Sequence, residues 1–418
     1  MNPISRLYPI NRQRLLNGPL AAHVELFVAH LRQGRYAWSS ERRYLVGVAH
    51  FAQWLTRTRI GVEDLDEVVI SRFLDQHLPR CACEAPVERN RRDLQAACTL
   101  LLMVLRTGNV VAKPSQPRGY IEEELRDFDA YLQGARGLSA GTRTDYLRVV
   151  RQFLAWRFGR RPVVAICVIK PAQIKAFVAA KLKVRPSSAI AASVACALRA
   201  YLRYRAGCGD AVLALHGAIL SPAHWNLSTL PRSLSAQEIE RVLAAFPATL
   251  PDYRRGYAIV RCALDLGLRV GEITNLKLND IDWQNGTLTL RQNKSRREHI
   301  LPLPVATGRA IANYVRYERP STTNPAVFVR HVAPRDVPLS VDGVHKVIRN
   351  AYRRAGLKHG RSHALRHSLA RRMVENGSSI KEVADVLRHR SLNTTLIYAK
   401  LDTPHLAAVA LPWPGSAQ

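Results

Sequence analysis

The stretch His363-Ala364-Leu365-Arg366-His367 places an imidazole and a guanidinium three positions apart. On a helix, residues at this spacing lie on the same face. An imidazole exchanges its proton near neutral pH, and a guanidinium stays charged and matches phosphate oxygens with its planar donors. The stretch therefore predicts a helical domain with a phosphate-handling face, although a solvated basic helix would give the same pattern.

Residues of matching chemistry lie upstream of this stretch. Arg269 stands between Gly267 and Gly271, and Glu272 could orient its guanidinium. Lys294 lies in a basic loop between two predicted strands, where a flexible ammonium suits proton donation to a leaving alkoxide. Taken singly, Arg269 is typical of a surface residue and Lys294 of a plain phosphate contact.

Two further candidates lie downstream. His389 follows a helix predicted over 380–387, and Tyr398 comes nine positions later. A Tyr in this apolar context is more often a core residue, and a phenol with a pKa of ~10 is unreactive near neutral pH. Cleaving a phosphodiester without a metal requires two cationic groups, a proton donor and an in-line nucleophile. Only a strongly cationic pocket would make Tyr398 that nucleophile.

The composition indicates a polyanionic partner. The chain has 418 residues, with 62 Lys and Arg against 32 Asp and Glu, and a formal net charge of +30. Such a charge favours nucleic acid or an anionic membrane surface. A hydrophobic fraction of 47% excludes a disordered chain. No apolar run approaches the ~20 residues that span a bilayer, and no isolated basic amphipathic helix is evident. We therefore expect no membrane partner.

The cysteines argue against a disulfide framework. There are seven of them, an odd number, and no secretory segment is evident. Cys81 and Cys83 form the only close pair, and a zinc site needs further ligands that no nearby Cys or His pair supplies at a suitable spacing. We expect reduced thiols, no metal and a cytoplasmic location.

An internal repeat predicts the domain organisation. Tyr44, Phe51 and Trp54 recur as Tyr146, Phe153 and Trp156 at a constant offset of 102 positions. The spacings fit amphipathic helices, so we interpret the first half of the chain as two copies of one small helical domain. Chance similarity between two Arg-rich helical bundles is the alternative.

The third domain is predicted to be mixed α/β. Asn285-Gly286 is a strong turn signal, and the segments 287–290 and 298–303 have the character of strands. The fold class is therefore mainly α and multidomain, with a mostly helical third domain that carries a small antiparallel sheet. The predicted boundaries are an arm at 1–19, helical domains at 20–112 and 118–220, a linker at 221–232, the third domain at 233–411 and a tail at 412–418.

The candidates taken together resemble a known family. Across about 230–405 the chain resembles the catalytic domain of the tyrosine recombinases, the phage integrase family. That family has an Arg in a Gly-Leu-Arg-x-x-Glu box, a Lys in a β-hairpin, a His-x-Leu-Arg-His box, a later His and then a Tyr. The matching positions are Arg269, Lys294, His363, Arg366, His389 and Tyr398.

The resemblance extends to the preceding helical domains and has two departures. Residues 118–220 resemble the family's SAM-like core-binding domain, and 20–112 resembles an additional copy. This copy is not standard in the family, and it could read flanking DNA or contact a partner recombinase. Arg388 stands where many members carry Gly, which could alter packing or add a phosphate contact.

The resemblance implies a site-specific recombinase of double-stranded DNA, an integrase or transposase of a mobile element. Tyr398 would attack the scissile phosphate, leaving a 3′-phosphotyrosyl bond and a free 5′-hydroxyl. Lys294 would protonate the leaving oxygen, and His363 would handle the proton of the nucleophile.

The remaining site residues are implied to hold the phosphate. Arg269 and Arg366 would bind its non-bridging oxygens, and His389 would support it by hydrogen bonding. The resemblance implies neither a nucleotide cofactor nor a metal, because the bond energy stays in the protein–DNA link. It also implies a homotetramer on two DNA duplexes, with accessory proteins as further candidate partners.

Three alternatives stay open at this point. A type IB topoisomerase uses a very similar pocket and would relax supercoils as a monomer. A DNA-binding protein could retain the fold without catalysis, although the complete set of six residues argues against this. A binder of anionic membranes would need the basic amphipathic helix that the sequence lacks.

Overall fold

The computed structural model describes most of the chain. The described residues are 3–112, 119–159, 169–184, 186–220, 231–291, 298–358, 360–389 and 391–401. The chain forms two compact units, Met1–Val111 with Asn226–Gln418 and Ala112–Trp225. Among the described helices, none is long and apolar enough to span a membrane.

The N-terminal part of the first unit, residues 3–112, is a helical bundle. Its helices are α1 (Pro9–Leu16), α2 (Val24–Gln33), α3 (Trp38–Thr58), α4 (Glu67–Arg72) and α5 (Arg91–Thr107). A π-helical turn, Phe73–His77, continues α4. Helix α3 buries Leu45, Val48 and Leu55, whose spacing places them on one face, and Phe73 packs into the same core.

The second unit is also helical. Its helices are α6 (Tyr120–Gly134), α7 (Ala140–Phe158), α8 (Pro171–Val184) and α9 (Ser188–Gly207). Phe128, Phe153, Phe177 and Tyr201 fill its core. Each of the four helices contributes one of these rings, so the core ties all four together.

The residues of the predicted repeat share helices but differ in burial. Phe51 and Phe153 are both buried, in α3 and α7 respectively. Trp54 is 7% exposed, whereas its counterpart Trp156 is 47% exposed. The repeat therefore corresponds to similar helical positions in two separately packed cores, and common descent of the two copies stays a prediction.

The C-terminal part, residues 231–401, is built around one buried helix. Its helices are α10 (Ala236–Ala244), α11 (Tyr253–Asp265), α12 (Val270–Asn275), α13 (Val305–Tyr317), α14 (Val341–Arg354), α15 (Ser362–Glu375) and α16 (Ile380–Val386). Helix α11 contacts α13, α14 and α15. Ser235 and Glu238 form a capping box at the start of α10, with hydrogen bonds of 3.2 and 2.9 Å.

The predicted sheet is present in this part. The strands β1 (Ile281–Asp282), β2 (Thr287–Leu290) and β3 (His299–Pro302) form an antiparallel sheet in that order, with Thr289 opposite Ile300. Gly286 adopts a φ of +60° in the predicted turn, a conformation that glycine reaches without strain. The fold class, mainly α with a small antiparallel sheet, is confirmed. Lys294 lies outside the described residues.

One charged residue joins the N-terminal and C-terminal parts of the first unit. Arg35 donates to the carbonyl oxygen of Ser321 at 2.6 Å, and its Nε lies 3.8 Å from the carboxylate of Asp336. Both side chains of this ion pair are substantially exposed, so the pair contributes little stability by itself. It shows that the first helical bundle meets the C-terminal part of its own chain.

The second unit holds a buried carboxylate that gives a test of its packing. Glu124 is 6% exposed and accepts hydrogen bonds from Tyr201 Oη at 2.8 Å and from Arg205 Nη1 at 3.1 Å. Tyr201→Phe removes one donor and leaves the ring in place. We expect the second unit to lose about 2 kcal/mol of stability, because the buried carboxylate loses a hydrogen bond.

Amide hydrogen exchange in α6 and α9 would measure this loss. Tyr131→Phe is the matched control, because Tyr131 is partly exposed and its stacking on Phe128 needs only the ring. We expect it to change stability by less than about 0.5 kcal/mol. Equal protection in the Tyr201→Phe variant and the wild type would contradict the expectation.

Candidate active site

Arg269 is the residue before α12, and Glu272 fixes it at two points. The backbone N–H of Arg269 donates to Glu272 Oε2 at 2.8 Å, and its Nη1 donates to Glu272 Oε1 at 2.8 Å. Its Nη2 donates to the carbonyl oxygen of Arg388 at 3.3 Å. The side chain of Arg269 is still 28% exposed. The guanidinium is therefore oriented by Glu272, as the sequence suggested, and remains accessible to a ligand.

Arg366 lies early in α15 and is 4% exposed. Its guanidinium donates to the carbonyl oxygens of Gly267 and Leu387. Burial, followed by the nearby charges of Arg269 and Arg388, lowers the pKa of Arg366 to about 9. The group still carries its charge at neutral pH, and it lies close enough to Arg269 for the two cations to act on one ligand.

Gly267 allows the segment before α12 to pack closely against α15 and the end of α16. Its φ is +57°, and an added Cβ would lie 2.8 Å from Leu387 Cδ2 and 3.0 Å from Leu369 Cδ2. Any other residue would therefore carry both backbone strain and a clash at this position. The carbonyl oxygen of Gly267 accepts from Arg366 and, at 3.1 Å, from Arg388.

The side chain of Arg388 points into the protein and is part of the packing around the site. Its side chain is 1% exposed, and its Nη2 lies 3.0 Å from Glu272 Oε2. Its Nη1 donates to the carbonyl oxygen of Val386 at 2.8 Å. Its φ of +56° explains why glycine suits the same position in the family that the sequence resembles. Of the two roles considered for Arg388, altered packing fits this burial and a phosphate contact does not.

Glu272 is a buried carboxylate between two cations. It is 5% exposed, and burial alone would raise its pKa. Arg388, followed by the backbone amide and the guanidinium of Arg269, outweighs this effect and lowers the pKa of Glu272 below its ordinary value. The carboxylate is therefore ionised at neutral pH and links the two arginines.

Tyr398 is buried beside these arginines. It is 1% exposed and packs against Ala370, Val374 and Leu387. Its hydroxyl lies 2.5 Å from His367 Nδ1. Burial raises the pKa of Tyr398 to about 12, and the charge of Arg366 opposes the rise. The phenol is protonated at rest, and the nearby imidazole can accept its proton.

The ring of His389 also lies near the Tyr398 ring. The two rings are nearly parallel, with centroids 6.5 Å apart. His389 Nδ1 is 2.7 Å from the hydroxyl oxygen of Thr395, which fixes the orientation of the imidazole. Burial, followed by Arg366 and Arg269, lowers the pKa of His389 to about 4, so the imidazole is neutral at pH 7.

The structure assigns the phenol a different histidine neighbour from the one that the sequence suggested. His363 is exposed at the start of α15, with its ring centroid 6.3 Å from that of His367. His367, which the sequence reasoning left without a role, contacts Tyr398. The spacing of four between His363 and His367 was the available signal, because it places both on one helical face. The structure thus brings Arg269, Arg366, His389 and Tyr398 together, with His363 at the edge.

A second cluster of reactive side chains lies in the N-terminal part. His50 and His77 lie beside Cys81 and Cys83, and their ligand atoms are all within 4.8 Å of one another. No Cys or His pair stands at a suitable spacing from these cysteines along the sequence, but the fold brings His50 and His77 beside them. Among the described residues, this is the group of His, Cys, Asp and Glu side chains that could hold a metal ion.

The chain is similar to proteins that are already known. Residues 232–405 match the model of the phage integrase family. The chain is 34% identical over 406 residues to y4rA of Sinorhizobium fredii, which is named as an integrase/recombinase, and the match covers 96% of each chain.

Two solved structures share the fold. A crystal structure of the XerH site-specific recombinase bound to DNA of its difH site has a TM-score of 0.54 at 19% identity, covering 72% of this chain and 91% of that one. A structure of the Tn1549 transposon integrase with DNA has a TM-score of 0.50 at 16% identity, covering 68% of this chain and 99% of that one. The full-length relative, together with the matched family model, establishes that the chain belongs to the phage integrase family of tyrosine recombinases.

Proposed function

We propose that this protein is a site-specific DNA recombinase, an integrase or transposase of a mobile element, and that Tyr398 is its nucleophile. The observation that carries the proposal is the position of the Tyr398 phenol. It is hydrogen-bonded to His367 and lies within the field of Arg366, which neighbours Arg269. The net charge of +30 suits a double-stranded DNA substrate. We place the protein in the cytoplasm.

The cleavage step exchanges one phosphate ester for another. The oxygen of Tyr398 attacks the phosphorus, a new P–O bond forms, and the bond to the 5′-oxygen breaks. The phenolic proton passes to the Nδ1 of His367, which lies within hydrogen-bonding distance. Lys294, which lies outside the described residues, supplies a proton to the leaving 5′-oxygen.

The cationic groups stabilise the charge that builds up during this step. Arg269 and Arg366 hold the non-bridging oxygens, because Arg366 acts on the phenol electrostatically and Arg269 lies near Arg366. His389, neutral and fixed by Thr395, donates a hydrogen bond to the phosphate from its Nε2. His363, exposed at the start of α15, is left for a contact with the DNA backbone.

The rejoining step needs no energy source. The phosphotyrosyl link conserves one phosphodiester bond, so the 5′-hydroxyl of a partner strand reverses the attack and restores the phenol. No nucleotide cofactor or metal is required for this exchange. Two duplexes must be held together for it, which favours a tetramer, with residues 118–220 as the core-binding domain and 233–411 as the catalytic domain.

The relaxation activity of a type IB topoisomerase is the remaining alternative activity. The relatives are named as integrases and recombinases, which favours recombination. A supercoiled plasmid without the recombination site separates the two activities. A topoisomerase would relax it, whereas a recombinase would act only on plasmids with paired sites.

The first test concerns the nucleophile. Nicked duplexes from the DNA that flanks the gene trap the covalent intermediate, because the short released strand diffuses away. We expect the wild type to form a covalent adduct on a denaturing gel. We expect Tyr398→Phe to lose it by more than about 10³-fold, because the attacking oxygen is gone.

Tyr317→Phe is the control for this test, because Tyr317 is 67% exposed and lies in the same part of the chain. We expect it to form the adduct like the wild type. A wild type that binds the flanking DNA and traps none of it would leave only a DNA-binding function on this fold.

The second test concerns proton transfer. Burial, followed by His363 and Arg366, lowers the pKa of His367 to about 4, so its imidazole is neutral and able to accept a proton above about pH 5. We expect the trapping rate at low DNA concentration to be flat from about pH 5.5 to 8. A base with the ordinary His pKa would instead give a rate that falls below about pH 6.5.

The choice between the two histidines is part of the same test. We expect His367→Gln to slow trapping by about 10²-fold or more, because the base at the phenol is lost. His363→Gln should have a smaller effect. The reverse order would return the role of base to His363.

The third test concerns Arg388, which holds Glu272 and the carbonyl oxygen of Gly267. Arg388→Ala and Arg388→Gly both remove these contacts. We expect each to lower the free energy of unfolding by about 3 kcal/mol, because a buried carboxylate loses one of its cations. Glycine also relieves the strain of the positive φ, worth about 1 kcal/mol.

Thermal unfolding of the full chain would rank the stabilities of the wild type and the two variants. We expect the midpoint to be highest for the wild type, lower for Arg388→Gly and lowest for Arg388→Ala. Equal midpoints for all three would show that Arg388 does not stabilise the site.

A further inference from the structure

We propose that His50, His77, Cys81 and Cys83 bind a structural zinc ion in the N-terminal bundle. Their ligand atoms lie within 4.8 Å of one another although the residues come from three different segments of the chain. His50 lies in the middle of α3, His77 ends the π-helical turn, and the two cysteines follow in the connection to α5. Nothing in this inference depends on recombination.

The distances fit the edges of a zinc tetrahedron. Zn–S bonds of about 2.3 Å and Zn–N bonds of about 2.0–2.1 Å at tetrahedral angles separate ligand atoms by roughly 3.3–3.8 Å. The observed separations are 3.2 Å between the Nε2 atoms of His50 and His77 and 3.2 Å between Cys81 Sγ and His50 Nε2. Cys83 Sγ lies 3.6 Å from His77 Nε2. Two sulfur and two nitrogen ligands are a set that zinc prefers.

The surroundings of His50 prepare it as a ligand. Its Nδ1 lies 2.9 Å from the carbonyl oxygen of Glu88 and donates to it. This hydrogen bond places the ring proton on Nδ1 and directs the free lone pair of Nε2 into the cluster. Metal-binding histidines are commonly fixed in this way. His50 is fully buried, so its Nε2 has no access to solvent as a partner.

The cysteine segment is held in position by arginines. Arg57 Nη1 donates to Cys83 Sγ at 3.4 Å, and Arg89 Nη2 donates to the carbonyl oxygen of Cys83 at 3.3 Å. Arg14 binds the carbonyl oxygen of Glu84 at 2.8 Å. Four protein ligands also leave no open coordination position, which indicates a structural and not a catalytic ion.

The second unit provides an internal comparison. At the offset of the sequence repeat, His50 corresponds to Gln152, and at the neighbouring offset of 104, which relates Phe73 to Phe177, His77 corresponds to Lys181. Lys181 Nζ donates to Gln152 Oε1 at 2.7 Å. The same helix-to-helix contact is therefore made by a neutral amide and an ammonium, neither of which suits zinc. Of the N-terminal bundle and the second unit, only the N-terminal bundle carries metal-binding side chains at these positions.

Metal analysis of the purified full chain tests the proposal. We expect about one zinc per chain when the protein is prepared without chelator. Cys81→Ser with Cys83→Ser should lower the content to near zero, and Cys208→Ser, which changes an exposed cysteine outside the cluster, should leave it unchanged. Equal zinc content in all three proteins would place the metal elsewhere and overturn the proposal.

A spectroscopic measurement on the wild type avoids any variant that fails to fold. Replacing zinc by cobalt(II) should give thiolate-to-cobalt charge transfer and the intense visible bands of a tetrahedral site. Chelation should lower the unfolding midpoint, and zinc but not magnesium should restore it. A wild type that neither holds nor takes up zinc, or that contains a Cys81–Cys83 disulfide by mass, would refute the zinc site.

Discussion

Two guanidinium groups share one buried carboxylate and a third lies close to them, and the C-terminal part is organised around this constraint. Arg269 and Arg388 pair with Glu272, and Arg366 lies within electrostatic range of all three groups, so positive charge is in surplus at a partly desolvated place. Like charges repel strongly where water is excluded. Backbone carbonyl oxygens offset this positive charge only in part. The carbonyl oxygen of Gly267, for example, accepts hydrogen bonds from both Arg366 and Arg388. A phosphodiester is the anion that would neutralise the surplus, which joins the packing of the domain to its proposed chemistry.

Features that are encoded within a few residues could be predicted from the sequence. The capping box at Ser235, the turn at Gly286 and the orientation of Arg269 by Glu272 each depend on neighbours at most three positions away. The fold class followed from such local signals, and the resemblance added the family. The resemblance then implied which of the candidate residues would meet.

Contacts between distant segments could not be predicted in the same way. Arg388 was open to two interpretations, because its direction depends on a buried carboxylate more than a hundred positions upstream. The cluster at His50 has no recognisable spacing, since α3, the end of the π-helical turn and the segment after it supply its ligands separately. The partner of the phenol was missed for a smaller reason: His363 and His367 share a helical face, and only the packing of Tyr398 distinguishes them.

The burial of Tyr398 has a consequence for a protein with so much positive charge. A chain of this kind associates with any stretch of duplex and slides along it in search of its target. An exposed, ionised phenol would nick the genome at random during such a search. Because the hydroxyl is enclosed and keeps its proton, the proposed nucleophile is shielded and inactive in the structure described here.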